Sequence, residues 1–205
     1  MVEETFTSSS TGMWSLVWSP AAHDEHGRSL LYLHGAGGFG TGMAGLFEHL
    51  DLPRLLREGM EVDCRVIIPS CHVDVEWKPA IVSSFLDDLE VVYGKPRRGY
   101  DLLGYSRGGR GAYQFAAAEP ARVRTLAAIS ARDMPHLVRN ICALPVLICH
   151  GLEDPVIPVA GIQRMYEDLR AAGCNCKLQL VEGDHFIVAK VLEQGAIFDW
   201  QRNAS

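Results

Sequence analysis

The chain has 205 residues, of which 48% are hydrophobic and 21% are charged, and its formal net charge is −6 at pH 7. This length and composition allow one sizeable core and lie outside the range of disordered sequences. The negative charge excludes a sequence-independent nucleic-acid binder, which needs a basic face to neutralise phosphates, so we expect no nucleic-acid partner.

The N-terminal segment MVEETFTSSSTG is polar and acidic. Because Ser, Thr and Glu bury little apolar surface, we predict a disordered tail over residues 1–12 and a single domain over residues 13–205. The tail lacks the basic and apolar regions of a secretory signal, and no apolar run reaches the ~18 residues that span a bilayer. We therefore expect no membrane partner and a reducing, cytoplasmic setting.

The cysteines do not suggest a disulfide framework or a metal site. Six are present, too few for a disulfide scaffold in a chain of this length. Cys64 and Cys149 lie in apolar runs and are interpreted as core residues. Cys174 and Cys176 are separated by one residue, which is not a zinc-site spacing, and are interpreted as loop residues. No metal ligand is predicted.

Short apolar runs alternate with longer segments of helical period through the rest of the chain. The predicted strands are 13–18, 29–33, 64–68, 101–104, 124–129, 145–149 and 177–181. The predicted helices are 42–58, 79–93, 107–118, 134–141, 159–172 and 190–202. Most of the strands are too uniformly apolar for an edge position. The pattern predicts a three-layer α/β protein, with a mostly parallel twisted sheet covered by helices on both faces.

The run Gly104-Tyr105-Ser106-Arg107-Gly108 follows one predicted strand and precedes a predicted helix. A G-x-S-x-G run in this context is typical of a nucleophilic serine on a tight strand-to-helix turn. The two glycines are needed because side chains there would collide with neighbouring backbone. The helix N-terminus directs N–H groups at an anion forming beside Ser106.

A second glycine-rich segment, HGAGG at 34–38, follows the strand predicted over 29–33. A tetrahedral intermediate of acyl transfer needs two N–H donors around its oxyanion. The segment resembles the histidine-glycine oxyanion loop of α/β-hydrolases, and this resemblance implies one donor from the backbone of Arg107 and the other from Ala36, with Gly37 as the alternative.

The acid and the base of a catalytic triad are predicted from two later strand ends. Asp154 lies in the loop after the strand at 145–149, with Glu153 as the neighbouring alternative, and His185 follows the strand at 177–181. Their order along the chain, Ser106, Asp154 and His185, is the order in which α/β-hydrolases place nucleophile, acid and base.

These motifs together resemble the α/β-hydrolase superfamily over residues 14–200, and within it the compact carboxylesterase, dienelactone hydrolase and prolyl-oligopeptidase-like groups. The resemblance implies a serine hydrolase of small soluble esters that works through an acyl-enzyme on Ser106 and needs no cofactor. The segment between the strands at 124–129 and 145–149 often carries a lid in such proteins. Its shortness here predicts that no cap domain is present.

Several alternatives stay open at this point. A peptidase or an acyl thioesterase would use the same residues, and a catalytically silent ligand-binding protein could share the fold. Residues 35–40 also fit the dinucleotide fingerprint G-x-G-x-x-G, but the next strand ends in Pro69 and Ser70 where a ribose-binding acid should stand. Trp77 is a candidate for the substrate pocket, although packing is an equal interpretation. Arg107 departs from related esterases, which often carry an uncharged residue there.

Overall fold

The computed structural model of the protein describes residues 1–21, 27–72 and 76–204. Within these residues one sheet is formed by β1 (Val2–Thr7), β2 (Trp14–Ser19), β3 (Ser29–Leu33), β4 (Arg65–Pro69), β5 (Tyr100–Tyr105), β6 (Val123–Ile129), β7 (Val146–Gly151) and β8 (Cys176–Val181). Their order across the sheet is β1-β2-β4-β3-β5-β6-β7-β8. The pairs β1–β2 and β2–β4 are antiparallel, and all other pairs are parallel.

Helices cover both faces of this sheet. They are α1 (Met43–His49), α2 (Asp51–Arg57), α3 (Pro79–Tyr93), α4 (Arg107–Ala118), α5 (Val138–Ile141), α6 (Val159–Ala171), α7 (Val188–Glu193) and α8 (Ala196–Asn203). Buried residues of α3 to α6 share one apolar cluster with one face of the strands, and those of α1, α2, α7 and α8 share a second cluster with the other face. Side chains alternate across a strand, so β2 to β8 each contribute to both clusters, whereas β1 contributes only Phe6, which packs against the first cluster. The predicted three-layer α/β fold is confirmed.

Two predicted helices are each divided in the structure. The segment predicted over 42–58 is broken at Leu50, whose backbone is extended with φ −120° and ψ 130°. The segment predicted over 190–202 is broken at Gly195, which adopts a left-handed conformation with φ 68°. A residue in either conformation cannot continue an α-helix, so the chain changes direction there.

The predicted disordered tail at residues 1–12 is wrong. Strand β1 pairs with the whole of β2 although most of its side chains are exposed. The following turn is held by Asp88, which accepts hydrogen bonds from Ser10 N at 2.8 Å and from Ser8 Oγ at 2.7 Å. These bonds lower the pKa of Asp88 to about 2. Backbone pairing orders this segment, and a prediction based on apolar burial did not take it into account.

The structure contains a disulfide bond that the sequence does not predict. Cys142, just after α5, forms a disulfide with Cys174, just after α6, and Cys176 is the first residue of β8. Disulfides persist in oxidising compartments and are rare in the cytosol. This pairing argues against the reducing setting expected from the sequence.

The sheet edge formed by the carboxyl ends of the parallel strands is open. Residues 130–145, between β6 and β7, contain only a 3-10 turn at Pro135–Leu137 and the short helix α5. In the described part of the chain no cap domain lies over this edge, as predicted. None of the helices in those ranges has the length and apolar character required to cross a bilayer.

Candidate active site

Ser106 lies at the sharp turn between β5 and α4. Its backbone adopts φ 52° and ψ −114°, and its N–H donates a hydrogen bond to Ile129 O at 2.9 Å. A non-glycine residue in such a conformation costs on the order of 1–3 kcal/mol and persists only where the surrounding structure fixes it. The neighbouring strand β6 therefore helps to hold the serine in this strained position.

The two glycines of the motif are required by close packing. A Cβ atom on Gly104 would lie 2.5 Å from Gly108 O, and one on Gly108 would overlap Leu33 O at the end of β3. Helix α4 can begin this close to the sheet only because both positions lack a side chain. These contacts supply the steric reason for the predicted motif.

Asp154 is held in the loop after β7. Its Oδ1 accepts hydrogen bonds from Val156 N and Ile157 N, each at 2.8 Å, and its Oδ2 lies 2.7 Å from His185 Nδ1. Burial raises the pKa of Asp154, but the bonds from Ile157, His185 and Val156 outweigh it and hold the pKa below its ordinary value. The carboxyl group is therefore ionised at neutral pH and fixed in orientation.

His185 lies between Asp154 and Ser106 in the loop after β8. Its Nε2 is 2.9 Å from Ser106 Oγ, and its side chain is almost fully buried. The Tyr105 hydroxyl donates to His185 O at 3.3 Å, and its ring packs beside the imidazole with centroids 5.7 Å apart. The structure thus brings together the three side chains predicted from distant segments.

Glu153, the alternative acid, binds elsewhere. Its Oε2 accepts a hydrogen bond from Gly183 N at 2.6 Å, and its own N–H donates to Gly183 O at 3.0 Å. In the same loop Phe186 N donates to Asp184 Oδ1 at 2.8 Å. These bonds fix the loop that carries His185, so Glu153 contributes to its position rather than contacting the imidazole.

The predicted oxyanion donors meet at one cavity. Ala36 and Gly37 lie in a 3-10 turn at Ala36–Gly38 after β3, and Arg107 is the first residue of α4. All three line a cavity of about 600 Å³ beside Ser106. Among the described residues none accepts a hydrogen bond from their backbone N–H groups. The geometry leaves these donors available and does not separate Ala36 from Gly37.

His34 packs under the backbone of this turn and hydrogen-bonds to the residue before it, Gly35. It is fully buried, its Nδ1 lies 2.8 Å from Gly35 O, and its Nε2 has no hydrogen-bond partner within the described ranges. Burial lowers the pKa of His34 to about 4. The imidazole is therefore neutral at pH 7 and donates to the carbonyl of the loop.

Trp77 packs against His34, with ring centroids 4.9 Å apart, and does not line the cavity beside Ser106. Its side chain is buried, and its Nε1 donates to His34 O at 2.9 Å. The candidate substrate contact is corrected to a structural one, because the indole packs edge-on against the rings of His34 and Phe39.

The low pKa of His34 predicts a loss of stability in acid. The folded protein keeps His34 neutral down to about pH 4, whereas the unfolded chain protonates it from about pH 6.5. Between these values only the unfolded state takes up the proton. The free energy of unfolding therefore decreases as the pH is lowered from 6.5 to 4, by up to about 3 kcal/mol. Urea unfolding at pH 7 and pH 4.5 measures this.

A His34→Gln variant should show a smaller drop between these two pH values than the wild type. His136→Gln is the control, because His136 is exposed. Equal drops in wild type and His34→Gln would contradict the assigned neutral state.

Several cavity residues were missed from the sequence. Arg132 lies after β6, Val156 and Ile157 follow Asp154, and Phe186 follows His185 with 72% of its surface exposed. Their only sequence signal is adjacency to a strand end or to a predicted catalytic residue.

In the described ranges no group of His, Cys, Asp or Glu is placed to hold a metal ion.

This arrangement of strands, glycine turns and the hydrogen-bonded chain from Ser106 to Asp154 defines the molecule as an α/β-hydrolase. The phospholipase/carboxylesterase family model matches residues 86–198, which is more than half of the chain. The chain therefore belongs to the phospholipase/carboxylesterase family. A comparison with curated proteins finds no match.

Solved structures share the fold at low sequence identity. A thermostable esterase matches with a TM-score of 0.70 at 19% identity, over 98% of this chain and 62% of that one. A ferulic acid esterase matches with a TM-score of 0.71 at 16% identity, over 100% and 98% of the two chains. TT1662 from Thermus thermophilus matches with a TM-score of 0.71 at 19% identity over both complete chains.

Proposed function

We propose that the protein is a serine hydrolase that cleaves carboxylic esters of small soluble substrates through an acyl-enzyme on Ser106. The observation that carries this proposal is the hydrogen-bonded chain from Ser106 Oγ to His185, at 2.9 Å, and from His185 to Asp154, at 2.7 Å. The family and the two esterase neighbours support ester chemistry. The open cavity of about 600 Å³ suits a small substrate.

The mechanism is a two-step acyl transfer. His185 Nε2 takes the proton of Ser106 as Oγ bonds to the ester carbonyl carbon, and the carbonyl electron pair moves onto oxygen. The N–H groups of Arg107 and of Ala36 or Gly37 stabilise that oxyanion. When the intermediate collapses, the bond to the alcohol breaks and His185 returns the proton to the leaving oxygen.

Water then hydrolyses the acyl-enzyme by the same steps. His185 takes a proton from the water as its oxygen attacks the acyl carbon, and returns it to Ser106 Oγ as the acid leaves. Asp154 holds the imidazole tautomer that has its proton on Nδ1 and stabilises the charged imidazolium.

A fluorophosphonate probe tests the nucleophile. The wild type should be labelled at Ser106, because the activated hydroxyl attacks phosphorus as it would attack a carbonyl carbon, and Ser106→Ala should not be labelled. Peptide mass spectrometry locates the adduct. Folded wild type that stays unlabelled would favour a catalytically silent binding protein on the same fold.

The wild-type protein should then be compared on short-chain p-nitrophenyl esters, acyl thioesters and aminoacyl amides. We expect the esters to have the highest kcat/KM. A clear preference for thioesters or amides would replace the esterase assignment with an acyl thioesterase or a peptidase that uses the same three residues.

A further inference from the structure

The cavity beside Ser106 contains more positive than negative charge, although the whole chain is acidic. Its lining residues include three arginines, Arg107, Arg110 and Arg132, and one acidic residue, Asp51. The chain as a whole has a net charge of −6. A cationic cavity on an acidic protein calls for an explanation beyond average composition.

Two of these four charged groups have ion-pair partners outside the cavity. Arg110 forms an ion pair with Glu76. Asp51 Oδ1 lies 3.3 Å from Arg54, which also pairs with Glu58 at 2.8 Å. The remaining two charged groups of the lining are arginines.

Arg107 and Arg132 have no such partner. Both side chains are exposed, and neither forms a hydrogen bond or an ion pair with any residue in the described ranges. The guanidinium carbon of Arg107 lies 5.7 Å from the centroid of the Phe39 ring. Each guanidinium group keeps its forked set of N–H donors available for a carboxylate or a phosphate.

Apolar side chains also line the cavity. Leu50, Val156 and Ile157 contribute to its lining, and Phe186 presents an exposed ring next to His185. The cavity therefore combines apolar surface with two unpaired cations, among the described residues, around one nucleophile. A substrate that matches it carries an apolar body and an anionic group.

We propose that Arg107 and Arg132 select esters that carry a carboxylate or phosphate group in addition to the scissile bond. This inference rests on the proposed esterase function of Ser106. A guanidinium binds either anion through charge-assisted, often bidentate, hydrogen bonds. These contacts lie beside the scissile bond and orient the substrate as they bind it.

Matched substrates test the charge preference on the complete protein. Methyl 4-acetoxybenzoate is the neutral member, while 4-acetoxybenzoate and 4-acetoxyphenyl phosphate carry the two anions on the alcohol side. Mono(p-nitrophenyl) adipate and its methyl ester provide the same comparison on the acyl side. At low salt we expect at least one anionic substrate to exceed its neutral partner in kcat/KM by about tenfold, and this ratio to fall in high salt.

Arginine variants connect this ratio to the two residues. Arg132→Gln and Arg107→Gln should each lower the ratio of anionic to neutral kcat/KM by about threefold or more, because each removes one charged donor while both backbone N–H groups stay. Arg139→Gln is the matched control, since Arg139 is an exposed arginine that lines a separate depression. It should keep the wild-type ratio.

The outcomes separate the two proposals. If neutral esters are hydrolysed and no anionic substrate is preferred, the proposed charge selection is overturned and the proposed esterase function is kept. The same holds if the ratio of anionic to neutral kcat/KM is unchanged in both variants. If no ester is hydrolysed, the esterase proposal fails. Binding of 4-acetoxybenzoate to Ser106→Ala, measured by calorimetry, then decides the role of the arginines. Weaker binding after the further change Arg132→Gln would support that role, and equal binding would refute it.

Discussion

Replacing Asp154 with asparagine is expected to lower kcat for ester hydrolysis by about four orders of magnitude with little change in the fold. The amide side chain would keep an oxygen that can accept the N–H groups of Val156 and Ile157, which now bind Oδ1 of Asp154. It would lose the negative charge opposite His185 Nδ1, and its NH₂ group favours the wrong imidazole tautomer. Steady-state kinetics on a p-nitrophenyl ester measures the effect.

Glu153→Gln is the matched control for this experiment. Glu153 is the neighbouring carboxylate, and it binds Gly183 N instead of the imidazole. Its neutralisation should lower kcat by less than about tenfold, because one exposed hydrogen bond is weakened and not lost. A loss at Glu153→Gln as large as that at Asp154→Asn would contradict the assignment of the acid.

Replacing Gly108 with alanine should destabilise the protein by at least about 4 kcal/mol, a large part of the folding free energy of a typical domain. The new Cβ would overlap Leu33 O, which belongs to the backbone of β3 and cannot rotate away. Relief requires α4 and β3 to separate, and that displaces both Ser106 and the turn that carries Ala36. Soluble yield and urea unfolding measure the loss.

Gly42→Ala is the control for an added methyl group. No heavy atom lies within 4 Å of a Cβ built on Gly42, and its φ of −72° is accessible to alanine. Because Gly42 is the residue before the first turn of α1, its replacement by alanine should lower the free energy of unfolding by at most about 1 kcal/mol. A Gly108→Ala protein as stable as Gly42→Ala would show that the sheet and α4 can separate without penalty.

The parts of the site that the sequence predicted are those with a local steric or topological cause. Gly104 and Gly108 are needed by one turn, and that turn can be recognised within five residues of sequence. Asp154 and His185 were found because parallel strands end at the same edge of the sheet, so residues just after their ends converge. The layers followed from the alternation of apolar runs with helical segments.

The errors have causes that lie outside local sequence. Strand β1 is ordered by hydrogen bonds to β2, and the exposed side chains of β1 give no sign of that pairing. The Cys142–Cys174 bond depends on the ends of α5 and α6 lying close together, which spacing along the chain does not encode. The position of Trp77 after a strand makes it a candidate for the cavity, but its hydrogen bond to His34 O is a tertiary contact that the local sequence does not show.

Strand β1 also bears on how copies of the chain meet. It forms one margin of the sheet, where its outer backbone groups have no neighbouring strand among the described residues. Glu3 and Glu4 are exposed on this strand, and the Glu3 carboxylate is paired with Arg57 at 2.9 Å. A second copy that added its own β1 there would bring the Glu4 carboxylates near each other, which opposes edge-to-edge aggregation. The acidic N-terminal segment thus forms the edge of the sheet and also opposes its extension by a second copy.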